Sequence, residues 1–165
     1  MGAGIIVVST MDKIMVVGLN RPEKRNEFLR QWQQVFRSIQ FGKVTVVAAI
    51  LGAAIGARIE ISIACHIRVV DETAWFSLPQ SERGLYVRLG ASVRLPRISG
   101  VALMMDMMLT GRRINAEERL RFGISQYLTS AGEVINKAIE LAKKIAMNMP
   151  WSNQAIIHAL PRIVE

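Results

Sequence analysis

Hydrophobic positions along this chain follow two periods, and the places where one gives way to the other outline its elements. Residues 4–9 and 14–20 are apolar, β-rich runs separated by the polar stretch Thr10-Met11-Asp12-Lys13, which predicts a hairpin. Pro22 in the charged segment that follows ends the strand pairing, because proline has no N–H to donate. Residues 28–39 turn to helical spacing, with Leu29, Trp32, Phe36 and Ile39 on one stripe. The chain is organised around residues 44–60. Its run of β-branched and small apolar residues from Val44 to Ile50 predicts a strand buried on both faces of a covered parallel sheet. Gly52 and Gly56 punctuate a turn, and from Gly56 the period lengthens to a helical one through Ile59, Ile63 and Ile67.

Beyond this stretch, residues 67–71 and 74–78 read as short strands, and residues 79–84 as a polar turn with a glycine exit. Residues 91–99 predict a helix interrupted by Pro96. Residues 101–109 predict another, whose Met104, Met105, Met107 and Met108 go all round, so that both faces need cover from the core and from another subunit. Asn115 followed by Glu118 is a helix-start signal, and Gly123 stops that helix. Residues 124–128 read as a strand. Ser130 followed by Glu133 is a second cap signal, opening a long amphipathic helix to about Met147. Pro150 breaks it, and residues 152–160 form a last helix. The order implies an alternating α/β domain followed by a mainly helical tail.

Composition narrows the class. The 165 residues are 51% hydrophobic, enough for one domain with a core. Net charge is +8, which favours anionic partners such as nucleic acid, acidic membrane surface or phosphorylated small molecules. The basic residues are scattered, without a long run or a basic–aromatic alternation, so the pattern does not support nucleic acid. No stretch of eighteen apolar residues and no N-terminal targeting pattern occurs, and the expectation is a soluble cytoplasmic protein that does not engage a membrane. Cys65 is the single cysteine and sits on an apolar helix face, which implies a core thiol rather than a nucleophile. His66 and His158 lack metal-ligand spacing to each other or to acids and read as structural.

Candidate chemistry concentrates where the central strand turns through glycine into a helix. Such a turn leaves free backbone N–H groups at the helix start, a site for a negative or partly negative oxygen. Glu60 lies in the first turn of that helix, where the helix dipole favours a carboxylate.

An ordered set of segments then resembles the crotonase superfamily, the enoyl-CoA hydratase/isomerase family. They are Asn20-Arg21-Pro22-Glu23-Lys24-Arg25-Asn26; Val47 through Gly56; Glu60 with Ala64-Cys65-His66-Ile67-Arg68; Phe76-Ser77-Leu78-Pro79; Arg94-Leu95-Pro96-Arg97 with Gly100; and Leu109 through Glu118. The resemblance implies an α/β, crotonase-like (ClpP/crotonase) core of stacked β-strands and helices over residues 1–129, with a helical C-terminal part over 130–165. It implies a homo-trimer or hexamer that binds an acyl-CoA thioester, with no metal and no redox cofactor, coenzyme A entering as part of the substrate. The oxyanion-hole amide of the glycine-rich helix start maps to Ala57, and the first acid/base glutamate to Glu60. Lys24 and Arg25 map to a loop that can neutralise coenzyme A phosphates.

Departures from the family pattern bear on mechanism. The second family glutamate maps to Gln80, which is not an acid, so paired-carboxylate hydration is in doubt while a single-base proton transfer stays open. Ala57 and Arg58 replace glycines. Arg58 is expected either to crowd the thioester channel, to bind the anion or to serve a structural contact. A left-handed backbone at Ala57 would cost ~1 kcal/mol relative to glycine. The family stretch carrying the other oxyanion amide is missing after Asn26, where the chain runs straight into Glu27, and the closing C-terminal helices are missing beyond Glu165. Either the gene product is truncated or the real chain contains stretches this sequence omits. The alternative function is a catalytically impaired crotonase-like scaffold or oligomerisation module.

Overall fold

The computed structural model describes residues 5–11, 14–20 and 29–162, with side chains from Trp32 onward. Strands β1 (Ile5–Met11) and β2 (Ile14–Asn20) form the expected hairpin, antiparallel from Ile5↔Asn20 to Met11↔Ile14. The charged segment that follows, including Lys24 and Arg25, lies outside the described residues. Helix α1 (Leu29–Phe41) then presents a fully buried Phe36, with Trp32 edge-on to it at 5.7 Å between ring centroids.

Two short parallel sheets carry the middle of the chain. Strand β3 (Val47–Ile50) pairs with β5 (Ile67–Asp71), and β5 with β7 (Tyr127–Thr129), in registers Val47↔Ile67 and Val69↔Tyr127. The second sheet pairs β4 (Ala53–Ile55) with β6 (Trp75–Ser77), in register Ala53↔Trp75. The chain passes from the first sheet to the second between β3 and β4, at Gly52 with φ +63°, and again between β5 and β6. Each strand–turn–strand unit therefore stacks on the next, and α2 (Ala57–Ala64) is the crossover that parallel pairing requires.

The remaining helices cover these sheets. Helices α3 (Ala91–Ser99) and α4 (Val101–Thr110) pack on one side, around a core of Ile59, Ile63, Val70, Phe76, Leu78, Leu95, Met107 and Ile114. Helix α5 (Ala116–Arg121) opens on the predicted capping box, with Asn115 Oδ1 accepting from Glu118 N–H at 2.8 Å and Glu118 Oε2 accepting from Asn115 N–H at 3.1 Å. Helix α6 (Val134–Ala146) lays Val134, Ala138 and Leu141 against Val69. Helix α7 (Pro150–Ala159) follows. Among the described residues no helix is long and apolar enough to cross a membrane.

Several expectations change. The central strand is shorter than residues 44–50 and is not buried on both faces: Val44 is 73% exposed and Ala49 is exposed as well. The glycine turn contains a further strand, β4, because Gly52 redirects the chain into the second sheet. Pro96 does not interrupt α3, which runs through it. Ser130 does not cap α6. Carboxylates from the β5–β6 turn take the amides before it instead: Gly132 N–H donates to Asp71 Oδ2 at 2.9 Å and Ala131 N–H to Glu72 Oε1 at 3.0 Å. Pro150 opens α7, where its missing N–H would have had no helical acceptor. In this single chain α4 buries Leu103, Met104 and Met107 and leaves Val101, Met105 and Leu109 exposed, so the core covers only one of its faces.

Candidate active site

The start of α2 is built on a conformation that glycine tolerates. Gly56 has φ +55° and ψ −116°, a region closed to residues with a Cβ, and its N–H donates to Ser77 O of β6 at 3.2 Å. Its carbonyl accepts from Ile59 and Glu60 at 2.9 and 3.1 Å, closing the first helical turn. Ala57 N–H precedes those amides and has no acceptor within its own helix. Ala57 itself is helical, so the left-handed strain falls on Gly56 and replacing the family glycine by alanine carries no backbone penalty.

Arg58 is exposed and turns back along the chain, its Nη1 donating to Ala53 O of β4 at 3.1 Å. That contact is structural, and its acceptor is a backbone carbonyl rather than a carboxylate.

Glu60 is not a solvated carboxylate: it is 3% exposed. Its Oε2 accepts from Leu89 N–H at 2.7 Å and from Ala91 N–H at 3.2 Å, the amides that open α3. Burial pushes the carboxyl above its usual range. The Ala91 and Leu89 amides, a backbone bond at Arg88 and the charge of Arg94 pull the other way without cancelling the effect. A buried carboxyl that binds its proton more tightly than usual is suited to exchanging one near neutral pH.

Gln80 brings its carboxamide to the same helix start. A Cβ built on Gly56 would lie 3.1 Å from Gln80 Nε2, and Gln80 Oε1 is buried without a hydrogen-bond partner among the described residues. Gln80 can donate and accept hydrogen bonds there, but it cannot carry a proton. The structure thus gathers Ala57, Glu60 and Gln80 around the first turn of α2, while the exposed Arg58 is tied to Ala53 O. Lys24 and Arg25 fall outside the described residues.

Sequence reasoning missed the segment that holds Glu60. Gly90, at φ +101°, sets the turn from which Leu89 and Ala91 donate. Arg94 in α3 donates through Nη1 to Leu89 O at 2.9 Å and through Nε to Gln40 Oε1 in α1 at 2.6 Å. The visible signal was Gly90 just ahead of a helical run, but the partner of its amides lies thirty residues upstream.

Cys65, His66 and Arg119 serve structure. Burial raises the Cys65 thiol to about 11, and its Sγ donates to Ile61 O at 3.4 Å, which fits the inert core thiol expected. His66 accepts from Val46 N–H at its Nδ1 (2.9 Å), so its other nitrogen, 3.1 Å from Gln40 O, carries the proton. Arg119 is fully buried, stacks 3.7 Å over Phe76 and donates to Ala74 O at 2.9 Å.

Comparison with known proteins gives a consistent result. The family model described as Enoyl-CoA hydratase/isomerase matches residues 13–165. A crystal structure from Rhodopseudomonas palustris CGA009, assigned as an enoyl-CoA hydratase, superposes with a TM-score of 0.81 at 44% identity over 90% of this chain and 60% of its own. The enoyl-CoA hydratase of Bacillus anthracis gives 0.77 at 31% identity, over 81% of this chain and 52% of its own. The fatty acid oxidation complex subunit alpha of Shewanella frigidimarina is 33% identical over 83% of this chain. The chain spans about a fifth of the length of such curated relatives, with 20% of that subunit covered. The α/β, crotonase-like fold expected from the sequence is the fold observed.

Proposed function

The chain belongs to the enoyl-CoA hydratase/isomerase family, and from that premise we propose that it binds an acyl-CoA thioester and promotes proton transfer next to the thioester carbonyl. Ala57 N–H donates to the carbonyl oxygen as enolate character develops on it, and Glu60 takes the proton from carbon. The observation that carries this reading is Glu60: a buried carboxyl of raised proton affinity, three residues after an uncapped first-turn amide. One amide donor of this kind is worth ~3 kcal/mol of barrier lowering.

With Gln80 in place of a second acid, Glu60 is the single titratable group of the three. A single base can remove a proton from one carbon and return it to another, which moves a double bond and leaves the atom count unchanged. Hydration asks in addition for a second group to manage the water, and Gln80 can orient a water but cannot exchange its proton. Isomerisation is therefore favoured over hydration. Lys24 and Arg25 supply charge for the coenzyme A phosphates, and the exposed Arg58 guanidinium adds to that field. Further copies of the chain, as a homo-trimer or hexamer, cover Val101, Met105 and Leu109 on α4.

A second reading has its own support. Glu60 Oε2 is engaged by two main-chain amides, as a structural cap of α3 would be. The protein would then be an impaired scaffold or oligomerisation module of the same fold. Purified protein mixed with a 3-enoyl-CoA and with crotonyl-CoA, followed by thioester absorbance, separates the two. Turnover of the 3-enoyl thioester that disappears in Glu60→Gln supports the enzyme, turnover that survives unchanged removes Glu60 from the mechanism, and no coenzyme A binding by calorimetry removes the acyl-CoA reading.

A further inference from the structure

The segment that holds Glu60 is itself held from α1. Gln33 and Gln40 lie two turns apart on one side of that helix, with the buried Phe36 between them. Gln33 Nε2 donates to Arg88 O at 2.8 Å, and Gln40 Oε1 accepts from Arg94 Nε at 2.6 Å. Between these two links, Phe36 packs with Leu89 and Ala64 in a separate buried cluster. Arg94 also donates to Leu89 O at 2.9 Å, while Leu89 N–H donates to Glu60 at 2.7 Å. The main chain of Leu89 is thus gripped at both ends, its N–H by the carboxylate and its carbonyl by the guanidinium.

Gly90 makes the grip possible. A Cβ there would collide with the Arg94 guanidinium, which lies over the Gly90 backbone. The carbonyl held by Arg94 belongs to the Leu89–Gly90 peptide, so fixing it fixes the turn that aims the Leu89 and Ala91 amides. Arg94 is also the charged side chain that Glu60 senses. Arg58 on the same helix as Glu60 turns to Ala53 O, Arg88 acts through its backbone, and α1 contributes the uncharged Gln33 and Gln40.

We propose that Arg94, held by Gln40, is a positioning residue that sets the geometry and proton affinity of Glu60 through the Leu89–Gly90–Ala91 turn. As an account of catalysis it rests on the reading of Glu60 as the acid/base; as an account of how Glu60 is held it stands without it. Planar guanidinium geometry matters, because one side chain must reach Gln40 and Leu89 at once, which a lysine ammonium on its single stem does not reproduce.

The test reads Glu60 directly. Protein carrying 13C in its glutamate carboxyls is titrated by NMR, with Glu60→Gln identifying the signal, for wild type, Arg94→Leu, Arg94→Lys and Gln40→Leu. Expected is a Glu60 midpoint at higher pH in Arg94→Leu than in wild type, with a smaller displacement in the same direction in Arg94→Lys and Gln40→Leu. On a thioester that wild type turns over, kcat falls roughly tenfold in Arg94→Leu with KM little changed, and the pH–rate limb moves with the NMR midpoint. A purely structural Arg94 would lower the melting temperature and leave the Glu60 midpoint in place in every folded variant, and that result overturns the proposal. If Arg94→Leu does not fold, the two milder variants decide by the same readout. If wild type turns over no thioester, the proposed function fails while the titration still decides how Glu60 is positioned.

Discussion

Glu60 on α2 and Leu89 ahead of α3 are joined by a 2.7 Å hydrogen bond from a main-chain amide to a buried carboxylate. The bond crosses twenty-nine residues of chain and ties the crossover helix to the turn that opens α3. It makes the side chain best placed for proton transfer also a structural cap, and most of the expectations below descend from that double role.

Glu60→Gln should separate the two roles. Burial makes the ionised carboxylate costly, so the folded protein binds the proton more tightly than the unfolded chain. Stability from this group is full below the unfolded carboxyl value and is lost as pH rises through the higher folded value. At neutral pH the neutral Gln side chain escapes that loss, and its oxygen can still accept from Leu89 and Ala91. Denaturant melts at pH 7 should show the variant at least as stable as wild type, with the proposed turnover gone; a variant several kcal/mol less stable would sink the account.

His66 predicts sensitivity to acid. Desolvation lowers its proton affinity in the folded state, and the bond its Nε2–H donates to Gln40 O opposes the shift only in part. Protonation would put a hydrogen on Nδ1 and break the bond from Val46 N–H. The unfolded chain therefore binds the proton first, and stability present above about pH 6.5, the ordinary histidine value, is lost as pH falls toward the lower folded value. Urea midpoints from pH 8 to pH 5 should fall in wild type and flatten in His66→Gln. Equal slopes in the two proteins would contradict this role.

Gly56→Ala and Gly52→Ala make a matched pair. Both glycines sit at positive φ, +55° and +63°, where an L side chain is strained, and ψ −116° puts Gly56 in the more strongly forbidden region. Only at Gly56 does the new methyl meet a neighbour, Gln80 Nε2 at 3.1 Å, whereas around Gly52 there is nothing within 4 Å. Gly56→Ala should therefore be the more destabilising and should alone disturb the Gln80 side-chain amide signals in an NMR spectrum.

Asn115→Ala removes the side-chain half of the capping box at the start of α5, the oxygen that accepts from Glu118 N–H, and leaves the backbone N–H that donates to Glu118. The expected loss is about 1 kcal/mol, read as a lower urea midpoint at unchanged slope, and Asn115→Asp should recover most of it.

Much of the fold could be read along the chain because its signals are local. The hairpin, α5 with its Asn115–Glu118 box and the strand at 67–71 each depend on residues within a few positions of one another. The same holds for Ala57 and Glu60, whose place at a glycine-turned helix start follows from neighbours alone. Where the readings failed, a distant group had taken over a local task. Asp71 and Glu72 hold the amides ahead of α6 that Ser130 was expected to serve, and Gly52 hands the chain to a second sheet that no hydrophobic period announces.

The sequence by itself determined the family, the order of elements apart from β4 and the identity of the candidate acid, since these rest on residue types at short spacings. Only the tertiary structure decided what surrounds that acid. Desolvation, the two amides from the α3 turn and the guanidinium anchored on α1 all reach Glu60 across long stretches of chain. A carboxyl's proton affinity is a property of its surroundings in space, and those exist only once α1, α2 and α3 have packed together.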